Sequence, residues 1–503
     1  MRKIWLFFVP LILCANNSSS LYKSLNPRSL SHQLIFFELY PDTEEGQDAL
    51  KQACSLLHIP DNQCVSYNFL KKTNMQGIIG LVNNQAIQKH YELNDEEIAF
   101  ISSIASYFPN RKLKGYSMWD EEGIRQLESN EIDIARAILL PQLKDKKAIQ
   151  AYEANLDLMA LQIQATMSKK PTDEEKIHAI NQFIFFDMRF RFPPHSVHAK
   201  DVDLYTFLPS VMDSRRGVCL GVSMLYLCLA QRLNLTLEPV TPPGHIFLRY
   251  KKADGSYLNI ENTARGIHLP TSRYLGIETK AIPQNTLKET IGMVFINQAS
   301  ILWGKQDYPH AEELYEKAKR YLDDYTVNQL LAYTYLFNGK TKQAETIFKT
   351  LKDEIPTHGV TTSSIIEDYL DGYADAEAIK SIFQPVDETR KSIENKQKQL
   401  EKVCKRWPKF RAGLLQLAGT WLQIGRLREA LPILEKCAAL NDNDPLVNYY
   451  LSIIYLERFD YNNAWQRYLK TKACLATHDH YPKALEQIEM RLRAVCPQPH
   501  SAS

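Results

Sequence analysis

A cysteine, a histidine and a glutamate fall in that order within 43 residues of this 503-residue chain, as Cys219, His245 and Glu261. The three residue types suit one chemistry. A thiol attacks a carbonyl, an imidazole takes and returns the proton, and a carboxylate holds the imidazole. A thiol attacks well only as a thiolate. Cys219 follows Arg215-Arg216-Gly217-Val218 at the expected start of an apolar helix over 219–233, whose positive end favours an anion. Arg215 and Arg216 are expected to add local positive charge. The Cys219 N–H, in an unpaired first turn, is a candidate donor to a developing oxyanion. Singly, each residue has an ordinary reading: a buried helix-start cysteine, a strand-end histidine, a solvated strand carboxylate. Their order, and the elements expected to carry them, make the combination more specific.

Those elements can be derived. After Thr241-Pro242-Pro243-Gly244, the stretches His245 to Tyr250 and Tyr257 to Thr263 read as strands flanking Ala253-Asp254-Gly255. A two-residue loop pairs residues summing to 509 and mixes apolar with polar residues on both faces. A three-residue loop with a left-handed glycine pairs residues summing to 508. Ile246, Leu248, Tyr250, Leu258 and Ile260 then share an apolar face. His245, Phe247, Arg249, Tyr257, Asn259 and Glu261 share the other. A one-residue slip flips every side chain, so the pattern selects the three-residue loop. Glu261 then lies diagonally across from His245, within side-chain reach.

The segment from roughly 120 to 275 resembles the bacterial transglutaminase-like superfamily, in its SirB-type branch often fused to tetratricopeptide repeats. The matching residues are Arg216-Gly217-Val218-Cys219-Leu220-Gly221-Val222-Ser223, Leu225-Tyr226-Leu227, Pro243-Gly244-His245 and Asn259-Ile260-Glu261-Asn262-Thr263. The resemblance implies a papain-like α+β core with Cys219 as nucleophile, His245 as base and Glu261 as acid. The wider superfamily usually has Asp at the last position, which leaves Asn259 or Asn262 as an alternative orienter. His195, His198 and His268 read as loop polar residues rather than substrate contacts.

The remainder of the chain frames this core. Met1-Arg2-Lys3 and the apolar run Ile4 to Leu13 read as a secretory signal over 1–15, too short to span a bilayer. Leu11-Ile12-Leu13-Cys14 resembles a bacterial lipoprotein signal, although Leu13 stands where a small residue is wanted. A lipid anchor at Cys14 is thus the one expected membrane link, and the chain is expected to be periplasmic, in the cell envelope or secreted. A linker is expected over 16–30. Helices are expected over 44–57, 94–107, 121–143, 148–167 and 172–186, the last with capping-box spacing at Thr172 and Glu175. Net charge is +2, which gives no electrostatic argument for nucleic acid. Nine cysteines form no CxxC or Cys/His zinc spacing, so neither cofactor nor metal is expected, and Cys54 with Cys64 is the most plausible local disulfide.

From about 292 small and aromatic residues recur. Ala311 and Ala344 stand 33 apart, Ala430 and Ala464 stand 34 apart. These resemble tetratricopeptide repeats, helix–turn–helix units. Residues 357–410 between them are degenerate, and the helix from Pro482 to Val495 suits a cap. The expected architecture is an α+β papain/transglutaminase-like domain over 31–285, with a helical part at about 90–190 and a core at about 190–280. An all-α repeat domain follows over 286–500. The expected function is an exported cysteine hydrolase or acyltransferase that cleaves amide, peptide or isopeptide bonds through a thioester, with a protein partner on the repeats. The alternative is an inactive transglutaminase-like scaffold that works by protein interaction.

Overall fold

Side-chain caps divide the first half of the chain into helices. The structure is a computed structural model that describes residues 18–57, 82, 92–193, 205–387 and 389–497. The expected signal segment 1–15, Cys14, Cys64, His195 and His198 lie outside the described residues. Two compact units emerge among the described residues: those up to 193 with 205–237 and 262–266 in one, 238–261 and those from 267 onward in the other.

The first unit is helical. Its longer helices are α1 (Leu30–Leu39), α2 (Glu44–Leu56), α3 (Asp95–Ile104), α4 (Glu121–Gln126), α5 (Ile134–Gln142), α6 (Lys146–Thr166), α7 (Asp173–Asn181), α8 (Leu208–Ser214) and α9 (Cys219–Arg232). Residues 18–24 of the expected linker are helical, and Tyr22 packs on Phe36 of α1 at 5.2 Å between ring centroids. The single helix expected over 121–143 is broken between α4 and α5. Asp133 starts α5 by accepting from the Arg136 N–H at 2.8 Å, an N-cap that ends the preceding segment. At α7 Thr172 caps the Glu175 N–H, and the Glu175 carboxylate accepts from the Ser168 N–H and hydroxyl. The helix then widens to a π-turn over Gln182–Asp187. Cys54 is disulfide-bonded, while Cys219, Cys228, Cys404, Cys437, Cys474 and Cys496 are free.

α9 is buried nearly all round, not on one stripe, so it is the core helix of this unit. It packs against α5, α6, α7 and α8. Its last residue, Arg232, is buried and pairs with Asp157 of α6 at 2.7 Å, and Arg111 reaches the other oxygen of the same carboxylate. Beside them Arg136 grips Glu153 through two nitrogens, at 2.6 and 2.8 Å, and lies 3.6 Å from the Trp119 ring.

The second unit opens with a three-stranded antiparallel sheet in the order β1 (Glu238–Val240), β2 (Phe247–Lys251), β3 (Tyr257–Ile260). Leu248 pairs with Ile260, Arg249 with Asn259 and Tyr250 with Leu258, each summing to 508. Gly255 closes the loop at φ +84°, where L side chains are strained. β1 has no signal of its own in the sequence: it is three residues long and contains Pro239. It is held from both sides, by β2 and by the returning chain, where Asn285 donates to the Pro239 carbonyl.

The repeats follow as helical hairpins: α10 (Leu287–Gly304) with α11 (Tyr308–Lys319), and α12 (Tyr325–Phe337) with α13 (Thr341–Leu351). Three helices, α14 (Ser364–Leu370), α15 (Ala376–Ile382) and α16 (Arg390–Arg406), fill the degenerate stretch. Two more hairpins then form, α17 (Arg411–Gln423) with α18 (Leu427–Leu440), and α19 (Pro445–Glu457) with α20 (Tyr461–Ala476), before the final helix α21 (Lys483–Val495). Ala311, Ala344, Ala430 and Ala464 are all fully buried, which is why the period is carried by small residues: paired helices approach closely there. The expected boundary near 285 does not coincide with the compact units. The strands group with the repeats because residues 276–285 bond both to β1 and to the loop at 358–359. Among the described residues no helix is long and apolar enough to cross a membrane.

Asp157 neutralises two buried guanidinium groups, so Asp157→Ala leaves both without their carboxylate. Urea denaturation should show a loss of about 3–5 kcal/mol, against near-neutrality for the exposed Asp48→Ala.

Candidate active site

The turn before β2 has the sequence that a type II turn requires. Pro243 supplies the fixed φ at its second position, and Gly244 sits at φ +72° at its third. The Pro242 carbonyl accepts from the His245 N–H at 2.9 Å, closing the turn. His245 is thereby delivered to the start of β2.

Glu261 follows β3 directly, and its backbone pairs antiparallel with Ile267. Its side chain is 3% exposed. The Oε2 oxygen lies 2.8 Å from His245 Nε2 and accepts from the Tyr274 hydroxyl at 2.5 Å. A buried carboxylate needs such donors, because burial without them costs several kcal/mol. Tyr274 also stacks on Phe247 at 4.5 Å and on His245 at 5.9 Å, with interplanar angles of 20° and 18°. Burial and the adjacent carboxylate keep its phenol protonated well above the ordinary range. Tyr274 has no part in the sequence motifs, which end at Thr263. Nothing in local sequence marks a tyrosine thirteen residues beyond the acid as its partner.

The face that carries this pair is buried as well as polar. Arg249 donates to Asn259 Oδ1 at 3.1 Å, and Asn259 Nδ2 donates to the Leu269 carbonyl at 2.7 Å. The Asn259 N–H donates to His268 Nδ1 at 3.0 Å. His268 therefore braces β3, and Asn259 is committed to Arg249 and Leu269, away from the imidazole. The carboxylate partner of His245 is Glu261.

Cys219 belongs to the first unit and is the first residue of α9, with Val218 as N-cap. It is partly exposed, as is Gln231, in a helix otherwise buried. Its approach is fixed by backbone pairing: Arg191 N–H to Arg215 O at 3.0 Å, Gly217 N–H to Arg191 O at 3.2 Å and Val218 N–H to Tyr205 O at 3.0 Å. Gly221 explains the Leu-Gly-Val spelling of the motif. A Cβ there would stand 2.3 Å from the Tyr205 carbonyl oxygen, so only glycine admits the passing chain. Arg215 keeps its charge near neutral pH but differs from Arg216 in being buried. Arg215 is 6% exposed at a left-handed φ of 54°, its guanidinium donates inward to the Met188 carbonyl at 3.1 Å, and burial lowers it to about 10. Only Arg216 of the two is exposed. Asn262 donates to Ser223 Oγ of α9 at 2.9 Å, and is thus a brace within the first unit.

No group of three or more His, Cys, Asp or Glu side chains among the described residues could hold a metal ion. The chemistry available is that of a thiol in one unit and an oriented imidazole in the other. Of the three candidates, His245 and Glu261 are bonded together within the second unit.

Comparison with known proteins bears on residues 150–282, a range that includes Cys219, His245 and Glu261. Two curated relatives are similar to part of the chain. F-box only protein 21 of Mus musculus is 30% identical over 89 residues, 17% of this chain and 13% of that protein. F-box only protein 21 of Homo sapiens is 26% identical over 115 residues, 22% of this chain and 16% of that protein. The match therefore spans only a small part of either relative. Among solved structures, a thermophilic TPR protein of Thermus thermophilus is 20% identical, covering 40% of this chain and 97% of that one with a TM-score of 0.20. Residues 150–282 match the family model of the Transglutaminase-like superfamily, and the chain carries a domain of that superfamily joined to helical repeats.

Proposed function

We propose that this protein is a cysteine-dependent hydrolase or acyltransferase acting on amide, peptide or isopeptide bonds, with Cys219, His245 and Glu261 as nucleophile, base and orienting acid. One observation carries the reading: within a transglutaminase-like domain, a buried glutamate is bonded to the histidine that the motif singles out. With Nε2 turned to Glu261, the proton of the thiol is taken at Nδ1. The thiolate sulfur bonds to the carbonyl carbon, and the resulting oxyanion collapses as the imidazolium gives its proton to the departing amine. Water or an acceptor amine, deprotonated by His245, then attacks the thioester and releases the thiolate. Glu261 stabilises the imidazolium through both half-reactions. The repeats would hold a protein substrate or partner. Export to the cell envelope, with or without a lipid at Cys14, belongs to the same proposal.

Iodoacetamide at pH 7, with the labelled sites mapped by mass spectrometry, tests the thiol. Burial pushes Cys228 up to about 12, Cys404 up to about 11 and Cys437 up to about 12, so these stay unlabelled in the folded protein. Cys219 should label fastest, and His245→Ala should slow it at least ~10-fold. Labelling no faster than at Cys474 and Cys496, and indifferent to His245, would sink the catalytic reading in favour of the scaffold.

Tyr274→Phe removes a hydroxyl donor to Glu261 while keeping the ring stack. Urea denaturation should register a loss of about 1–3 kcal/mol, larger than for Tyr257→Phe, where the side chain is exposed.

A further inference from the structure

The Tyr274 hydroxyl and His245 Nε2 meet at a single oxygen of Glu261. Tyr274 donates to Oε2 at 2.5 Å, and Nε2 lies 2.8 Å from the same atom. They compete for one share of negative charge. A donor on a carboxylate oxygen offsets part of the field that the carboxylate exerts on its other partners. At 3% exposure water screens that field little, so a change in one bond is felt in the other.

Tyr274 is fixed in this place by its surroundings. Its ring stacks on Phe247 and on His245. The Tyr274 N–H donates to the Thr271 carbonyl at 3.0 Å, and Thr271 Oγ1 accepts from Asn259 Nδ2 of β3 at 3.3 Å. Burial and Glu261 hold the phenol protonated well above the range in which an imidazole titrates, so Tyr274 donates wherever His245 changes charge. Further charged and titratable groups lie around the pair: Arg249 on β2, Glu238 across from it on β1, Tyr257 and His268 at β3, and Arg273 beside Tyr274. Arg249 and His268 are turned to Asn259. Tyr274 acts on the same oxygen that His245 uses.

We propose that Tyr274 is a positioning residue that sets the basicity of His245. By sharing Glu261 Oε2 it weakens the hold of the carboxylate on the imidazolium. The imidazole is then neutral, and able to take a proton, at a lower pH than Glu261 alone would allow. This deepens the reading of His245 as the base and rests on it for its role in the reaction. The competition at Oε2 itself holds whether or not Cys219 reacts.

The test is the titration midpoint of His245, read by NMR from the ring Cε1–H signal of the full chain carrying carbon-13 histidine. Cys219→Ser serves as the background, so that this thiol does not titrate against the imidazole. His245→Gln in that background identifies the signal by its loss. Tyr274→Phe keeps the ring and removes the donor, and should raise the midpoint by at least ~0.5 pH unit. Tyr257→Phe, a phenol on the same face, should leave it in place. Tyr274→3-fluorotyrosine, installed by codon suppression, supplies the opposite arm: its more acidic phenol is the stronger donor and should lower the midpoint. A tyrosine that only supports the fold predicts equal midpoints in every folded variant. Equal midpoints, or a lower one in Tyr274→Phe, overturn the proposal; if Tyr274→Phe does not fold, the fluorotyrosine chain decides alone. Iodoacetamide labelling across pH, with Cys219 restored, separates this result from the catalytic reading. A more basic imidazole forms the thiolate at lower pH, so the acid limb of Cys219 labelling should move down in Tyr274→Phe. A midpoint that moves while the labelling profile stays supports the tuning of His245 and overturns its role as base to Cys219. A labelling profile that moves while the midpoint stays overturns the tuning.

Discussion

Glu261 is a carboxylate removed from water, and much of the second unit answers to that constraint. An ionised group at 3% exposure persists only where donors replace its hydration. His245 and Tyr274 are such donors. Each demand propagates outward. His245 can reach Glu261 only if the hairpin pairs in one register, and that register needs Gly255 at a positive φ. Tyr274 can reach it only if the chain after β3 returns over the same face, where Asn259 and Thr271 hold it.

The sheet was largely legible in the sequence, for an identifiable reason. Period-two alternation and a glycine in the loop together admit only one pairing, and the observed pairs Leu248–Ile260 and Arg249–Asn259 are those of that pairing. The polar face was less legible. Alternation treats it as solvent-facing, whereas Arg249 and Asn259 are buried by a loop that contains no periodic signal. Tyr274 belongs to that loop, and only tertiary folding joins it to the acid. β1 was invisible because three residues with a proline carry no strand pattern of their own.

In the first unit the helices were readable but their electrostatics were not. Helix caps such as Asn94 and Thr172 depend on neighbours three residues away, and the chain spells them out. The placement of charge depends on what crosses above. Arg215 reads as local positive charge beside the thiol, and the sequence does not show that its side chain is buried against the Met188 carbonyl. The same holds for Arg111, Arg136 and Arg232, whose carboxylate partners lie 17 to 75 residues away. The repeat period was legible because alanines fully buried between paired helices recur at 33 or 34 residues. The helices between them, α14 to α16, break that period and so give no count of units.

Two donors of its own unit reach the Glu261 carboxylate, and this bears on how such a chain can change over evolutionary time. Tyr274 and His245, both of the second unit, bond to its Oε2 oxygen. A lineage that replaced Cys219 by a small polar residue would forfeit the thiol while keeping the imidazole, the carboxylate and the fold around them. The histidine–glutamate pair is in this sense a part of the hairpin's own architecture, inherited with the register that sets it.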